Sequence, residues 1–392
     1  MEGDFIKIKE SLLPLSWIYG CGVRLRNFCF DVGILKSHTF HVPIIAVGNI
    51  TVGGTGKTPH VEYLVRMLQK RFHVAVLSRG YKRKTKGFVL ADRNSTTRDI
   101  GDESFQIKTK YPDISVAVDR KRVNGIQRLT DDDPNLDIIL LDDAFQHRYV
   151  KPGVNILLVD YHRLIIYDKL LPAGRLREPL NGKNRADIVI ITKCPKELKP
   201  MEFRVITKAM NLFPYQHLYF TTLEYGTPSG LFNKSQTPLS DLCVNNILLL
   251  TGIASPRQLK EDMEALQKSY GLSTNIKSLA FSDHHAFRRK DIQLINSTFE
   301  AMPSPKVIIT TEKDAARLAS IEGLSDEVRQ NLYVLPVNIC FMQKDQEEKF
   351  NEFIVGYILK NSRNSILAKG KDDGKAHDTQ QPAGKSKTIS FK

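Results

Sequence analysis

The segment from residue 42 to 71 constrains this chain more than any other. Val42-Pro-Ile-Ile-Ala-Val47 reads as a buried strand. His60 to Arg71 reads as a helix, with Val61, Leu64, Val65 and Leu68 on one face. Between them stands Thr51-Val52-Gly53-Gly54-Thr55-Gly56-Lys57-Thr58. Small residues at that place let backbone N–H groups close on phosphate oxygens, at a helix N-terminus that favours anions. The spacing puts Lys57 on the β- and γ-phosphates of a nucleotide and the Thr58 hydroxyl on Mg²⁺. Pro59 falls early in the helix, where its missing N–H costs nothing. A strict phosphate loop opens on Gly. Here Thr51 holds that position, so the loop is a variant.

Further apolar runs follow at 74–77, 114–118, 138–141, 154–159 and 188–191, with helical patterns between them. Short β-branched runs separated by helices predict βαβ units and a mostly parallel sheet. A second series lies at 247–250, 276–281, 307–310 and 332–337, with helices over 256–270 and 291–302. The expected fold class is therefore α/β: a P-loop NTPase-like, mostly parallel sheet with helices on both faces, plus a second, smaller α/β unit. The expected domains are an N-terminal helical segment over 1–40, a core over 41–212, the second unit over 213–362 and a disordered basic tail over 363–392. That tail is rich in Lys, Gly, Ser, Asp and Gln and poor in large apolar residues.

The strand at 138–141 ends in Asp142 and Asp143. A carboxylate at a strand's C-terminal end beside a phosphate loop can hold Mg²⁺, directly or through water. Either aspartate fits that role.

The chain carries 57 Lys+Arg against 43 Asp+Glu, a formal net charge of +14. Nucleic acid, anionic lipid and phosphate-bearing substrates all suit that balance. Its distribution is informative. Residues 66–93 hold nine Lys/Arg and one Asp, centred on the loop 79–86 after the second strand. Such loops lie at the C-terminal edge of a parallel sheet, near the nucleotide. No usual nucleic-acid recognition module is present, so anionic lipid is the expected partner and nucleic acid is not. The five cysteines show no CxxC spacing, which argues against a disulfide framework or a zinc site and fits a reducing compartment. The start of the chain does not read as a secretory signal. Residues 12–35 are apolar and hold the single Trp, but Arg24, Arg26 and Asp31 interrupt them. They suit a helix lying at a membrane interface, or one packed on the protein's own core, better than a span.

Val47-Gly-Asn-Ile-Thr-Val-Gly-Gly-Thr-Gly-Lys-Thr-Pro59 resembles the signature of the tetraacyldisaccharide 4'-kinase family, the lipid A 4'-kinases. Six further segments agree in order, at 77–81, 101–103, 142–148, 171–179, 281–285 and 311–314. The resemblance implies transfer of the γ-phosphate of ATP to the 4'-hydroxyl of tetraacyldisaccharide 1-phosphate, with Mg²⁺, giving lipid IVA. It implies work at the cytoplasmic face of the inner membrane, two α/β/α units with nucleotide between them, and an N-terminal helix touching the bilayer. A monomer is expected.

The resemblance also points to Asp102 of Gly-Asp-Glu as the base, paired with His284 of Asp-His. From the residues alone, Asp102 reads equally as a helix start, and His285 competes with His284. Glu103, His147 and Glu178 are further candidates for the metal or substrate shell. Arg148, Arg175, Arg177, Arg120 and Arg122 are candidate phosphate clamps, since guanidinium forks suit phosphate. Thr192-Lys193 and Thr310-Thr-Glu-Lys-Asp314 follow strands and faintly resemble GTPase base-reading loops, without the Asn. They stay unassigned. The rival readings are a P-loop ATPase or GTPase switch without a lipid acceptor, and an adaptor with a vestigial loop.

Overall fold

A computed structural model describes residues 8–376, apart from 244–245, 254–255, 272–274, 284 and 320; from 363 to 376 it describes backbone only. Eight strands come first: β1 (Ile44–Gly48), β2 (Val74–Ser78), β3 (Val89–Leu90), β4 (Ser115–Val118), β5 (Ile138–Asp142), β6 (Val154–Asp160), β7 (Ile188–Thr192) and β8 (His217–Tyr225). The chain then leaves for a second sheet of β9 (Ser229–Gly230), β10 (Asn246–Thr251), β11 (Ile276–Ala280), β12 (Lys306–Thr311) and β13 (Leu332–Leu335). It returns to the first sheet with β14 (Val337–Phe341). The orders are β14-β8-β7-β6-β1-β5-β2-β4-β3 and β11-β10-β12-β13-β9.

The central strands β1, β2, β5 and β7 are buried at every position. That is what a near-continuous apolar run means when helices cover both faces of a parallel sheet. Ile45, Val47, Val76 and Leu140 face one core, while Ile44, Ala46, Leu77 and Leu141 face the other. β1 pairs parallel with β5 in the register Val47↔Asp142. The acidic strand end therefore lies directly beside the start of the phosphate loop.

The strand pairing departs from the expected boundary at 212/213. β8 and β14 both belong to the first sheet and pair antiparallel, Val337 opposite Tyr225. The run read as one strand over 332–337 is two. Pro336 lacks an N–H for the ladder and divides β13 from β14. β8 escaped notice because only Tyr219, Phe220 and Thr221 are buried along it, and polar Thr and Glu residues break any apolar run. The C-terminal helix (Lys344–Ala376) buries Phe350, Ile354 and Ile358 in the first core. The expected boundary at 363 falls inside this helix, and residues 377–392 lie outside the described residues.

Helix α1 (Leu13–Asp31) rests on the segment 170–178. Ser16 donates to the Leu170 carbonyl at 3.0 Å, and Tyr19 to the Arg177 carbonyl at 2.8 Å. Gly20 permits this approach, since a Cβ there would meet Leu170 Cδ1 at 2.7 Å. The other face of α1 is bare: Trp17 is 68% exposed, and Ile18, Leu25 and Phe28 are likewise exposed. No helix among the described residues is long and apolar enough to cross a membrane.

Candidate active site

The phosphate loop runs from the end of β1 into α2 (Lys57–Leu68). Two backbone bonds pin its first half to the segment 175–177: Val52 N–H to the Arg175 carbonyl (2.8 Å) and Arg177 N–H to the Ile50 carbonyl (2.7 Å). Gly56 turns the chain into the helix at φ 80°, a left-handed conformation that a side chain would strain. Asn49 Nδ2 donates to the Thr55 hydroxyl at 2.9 Å and ties the loop's two halves together.

Asp142 ends β5 and Asp143 follows it, and their surroundings differ. Asp143 lies 3.5 Å from Lys57 Nζ and 3.2 Å from Arg177 Nη2. Burial pushes its carboxyl up, but Lys57 and Arg177 outweigh this and hold it below the usual carboxylate range. Asp142 is 1% exposed. Burial first, then Glu103 and Asp143, raise its carboxyl to about 7 against the pull of Lys57 and Arg122. Its Oδ1 is buried without a hydrogen-bond partner.

Across from the loop, a one-turn helix α3 (Thr97–Ile100) leads through Gly101 into α4 (Asp102–Lys110). Asp102 opens α4 and takes two bonds from Arg317, at 2.6 and 3.0 Å. Arg317 comes from the second unit, on the helix Glu312–Leu318. On the same helix, Lys313 lies 3.8 Å from Glu103 and 3.2 Å from Asp283. Asp102, Asp142, Asp143, Asp283 and the loop 52–58 all line one cavity of about 460 Å³. His284 lies outside the described residues. His285 is turned elsewhere: its Nε2 meets Asp291 at 2.9 Å and its ring stacks on Phe281.

The candidate arginines separate by what they hold. Arg122 is buried and donates to the carbonyls of Asp119 and Asp142, at 3.0 and 3.2 Å. Arg148 anchors α1 through Asp31 (2.6 Å) and the Asn27 carbonyl (3.0 Å). Arg177 meets Asn49 and Asp143, whereas Arg120 is exposed. Glu178 pairs with Arg185 at 2.8 Å and accepts from Asn27 at 3.3 Å. Burial, then Arg122, Arg26 and Arg79, lower the His147 imidazole to about 4, so it is neutral. Sequence reasoning missed Arg317, which has no motif of its own. Its only signal is the spacing to Asp314, three residues earlier on the same helix, at 3.1 Å.

A phosphate loop at the central strand of a parallel sheet, acidic residues on the neighbouring strand and a second unit closing the cavity define a P-loop kinase. Residues 8–357 match the family described as Tetraacyldisaccharide-1-P 4'-kinase. The tetraacyldisaccharide 4'-kinase of Phocaeicola vulgatus is 56% identical over 370 residues, covering 93% of this chain and 99% of the relative. That of Porphyromonas gingivalis strain W83 is 44% identical over 361 residues, covering 91% and 99%. The crystal structure of LpxK from Aquifex aeolicus in complex with ATP superposes with a TM-score of 0.68 at 28% identity, covering 89% of this chain and 99% of that one. The chain belongs to the tetraacyldisaccharide-1-P 4'-kinase family.

Proposed function

We propose that this chain transfers the γ-phosphate of ATP to the 4'-hydroxyl of tetraacyldisaccharide 1-phosphate and so forms lipid IVA. One observation carries the reading: in a member of this kinase family, the phosphate loop and Asp102 line one cavity. Lys57 and the loop N–H groups bind the polyphosphate. Asp102 takes the proton of the attacking hydroxyl, and the family resemblance gives it His284 as partner. Arg317 fixes the carboxylate's direction.

The fit of Mg²⁺ is supported by Asp142. A buried carboxylate with a bare oxygen and a suppressed acidity lacks a positive charge that a cation supplies. Asp142 and the Thr58 hydroxyl would hold Mg²⁺, with Asp143 set behind them by Lys57 and Arg177. Among the described residues no group of three or more His, Cys, Asp or Glu could hold a metal. The rest of such an ion's ligands would come from outside these residues, and the chemistry it would supply is neutralisation of phosphate charge.

The acceptor side favours a lipid over a switch without acceptor. The exposed apolar face of α1 supports that reading. Trp17, Ile18, Leu25 and Phe28 are exposed on this helix, suited to the interface of the inner membrane's cytoplasmic leaflet.

The test is radiolabelled ATP with tetraacyldisaccharide 1-phosphate in detergent micelles. Label passing to lipid supports the kinase, and ATP hydrolysis indifferent to lipid sinks it. Lys57→Ala should lower transfer by about 10²–10³-fold, through loss of a γ-phosphate contact.

A further inference from the structure

Phosphate-binding amides need a fixed direction. In a planar peptide the N–H points opposite the preceding C=O. Holding a carbonyl from outside the loop therefore aims the next residue's N–H into the cavity. Three successive loop carbonyls are held in this way. Lys193 Nζ donates to the Gly54 carbonyl. Thr192 Oγ1 donates to the Thr55 carbonyl at 3.0 Å. His60 Nδ1 lies 2.7 Å from the Gly56 carbonyl.

The groups that hold them are themselves fixed. Lys193 follows the last residue of β7, is 7% exposed, and stands at φ 57°, a left-handed conformation unusual for a side chain of its size. Asp160, at the end of β6, balances its charge at 2.8 Å. The His60 ring is buried, with Nε2 3.1 Å from the Thr221 hydroxyl on β8. A carbonyl only accepts, so Nδ1 carries the proton and Nε2 accepts from Thr221. Burial lowers this imidazole to about 4, so the arrangement persists at neutral pH.

We propose that Lys193, Thr192 and His60 are positioning residues that hold carbonyls 54–56 outward and so preset the N–H groups of Thr55, Gly56 and Lys57 for the nucleotide polyphosphate. The strain at Lys193 fits this role, since strained backbone collects where function requires one geometry. The inference rests on the reading that the loop binds nucleotide phosphates. That reading is tested separately: unaltered protein that gains no thermal stability from ATP fails it.

The experiment compares ATP and AMP on Lys193→Met, Thr192→Val and Lys193→Arg, by thermal shift and by steady-state transfer. Losing one charge-assisted bond should weaken ATP affinity by about tenfold in Lys193→Met. AMP affinity, lipid KM and kcat should change little, and Lys193→Arg should recover part of the loss. Thr192→Val should repeat the pattern more weakly. ATP affinity equal to that of the unaltered protein in folded Lys193→Met overturns the proposal. A fall in kcat alone also overturns it, because Lys193 would then act on the reacting phosphate. If Lys193→Met does not fold, unchanged ATP affinity in Thr192→Val overturns it.

Discussion

At the scale of single residues, the site assigns different tasks to side chains of one kind. Asp102, Asp142 and Asp143 share a cavity, yet their partners are Arg317, no group at Oδ1, and Lys57 with Arg177 respectively. Asp102→Ala should lower kcat by about 10²–10⁴-fold, the usual contribution of a general base, while the KM for ATP stays within a factor of a few. Unchanged turnover in steady-state assays would remove Asp102 from the chemistry. Asp142→Asn addresses the metal. Mg²⁺ added with ADP should raise the melting temperature of the unaltered protein above ADP alone, and this increment should vanish in the variant. An equal increment in both would shift the metal role away from Asp142. The phosphate loop and the Asp pair were legible in the sequence because their chemistry is local. Arg317 was not, because it reaches Asp102 from 215 positions along the chain.

At the scale of elements, the closest link between the two units is the helix Glu312–Leu318 lying along α4. Lys110 near the end of α4 stands between Glu62 of α2 (2.6 Å) and Glu312 (2.8 Å). Burial, then Glu312, raise the Glu62 carboxyl above its ordinary range, and Lys110 opposes them. Lys110→Met leaves two carboxylates facing each other and should cost about 1–3 kcal/mol, less than a fully buried pair because Lys110 is partly exposed. The sign of its pH dependence follows. A carboxyl raised in the folded chain binds protons that the unfolded chain has released, so stability falls as pH climbs through that range. Without Lys110 the carboxyl rises further. Denaturant melts should therefore show a larger deficit at pH 8 than at pH 5, and a deficit independent of pH would argue against this coupling. The inner strands of both sheets, β1, β2, β5, β7, β10 and β12, were legible as buried apolar runs. The antiparallel pair β8 and β14 was not, since mixed side chains on a half-covered strand leave no continuous run and Pro336 hides a change of sheet.

At the scale of the whole molecule, α1 offers an apolar face to the outside while its other face is bonded to the segment 170–178. Replacing Trp17, Ile18, Leu25 and Phe28 together by Ser should leave the melting temperature nearly unchanged, because these side chains are exposed. Co-sedimentation with vesicles containing anionic lipid should drop by about tenfold or more, from the lost burial of four large side chains. Full vesicle binding by this variant would mean that the cationic loop 79–86 or another surface makes the contact. The net charge of +14 permitted several partners, and its concentration in residues 66–93 is what made anionic lipid the expected one.

The exit and return of the chain between its two sheets have a consequence of a different kind. Tyr225 and Val337 sit opposite each other in one ladder, and the Gly226 N–H meets the Pro336 carbonyl at 2.9 Å. The whole of 229–335 thus hangs from a single doorway whose two posts already touch. A tight turn joining those posts would close the first sheet without a gap. Excision of the enclosed segment at that point would leave every strand of the host sheet beside the neighbour it has now.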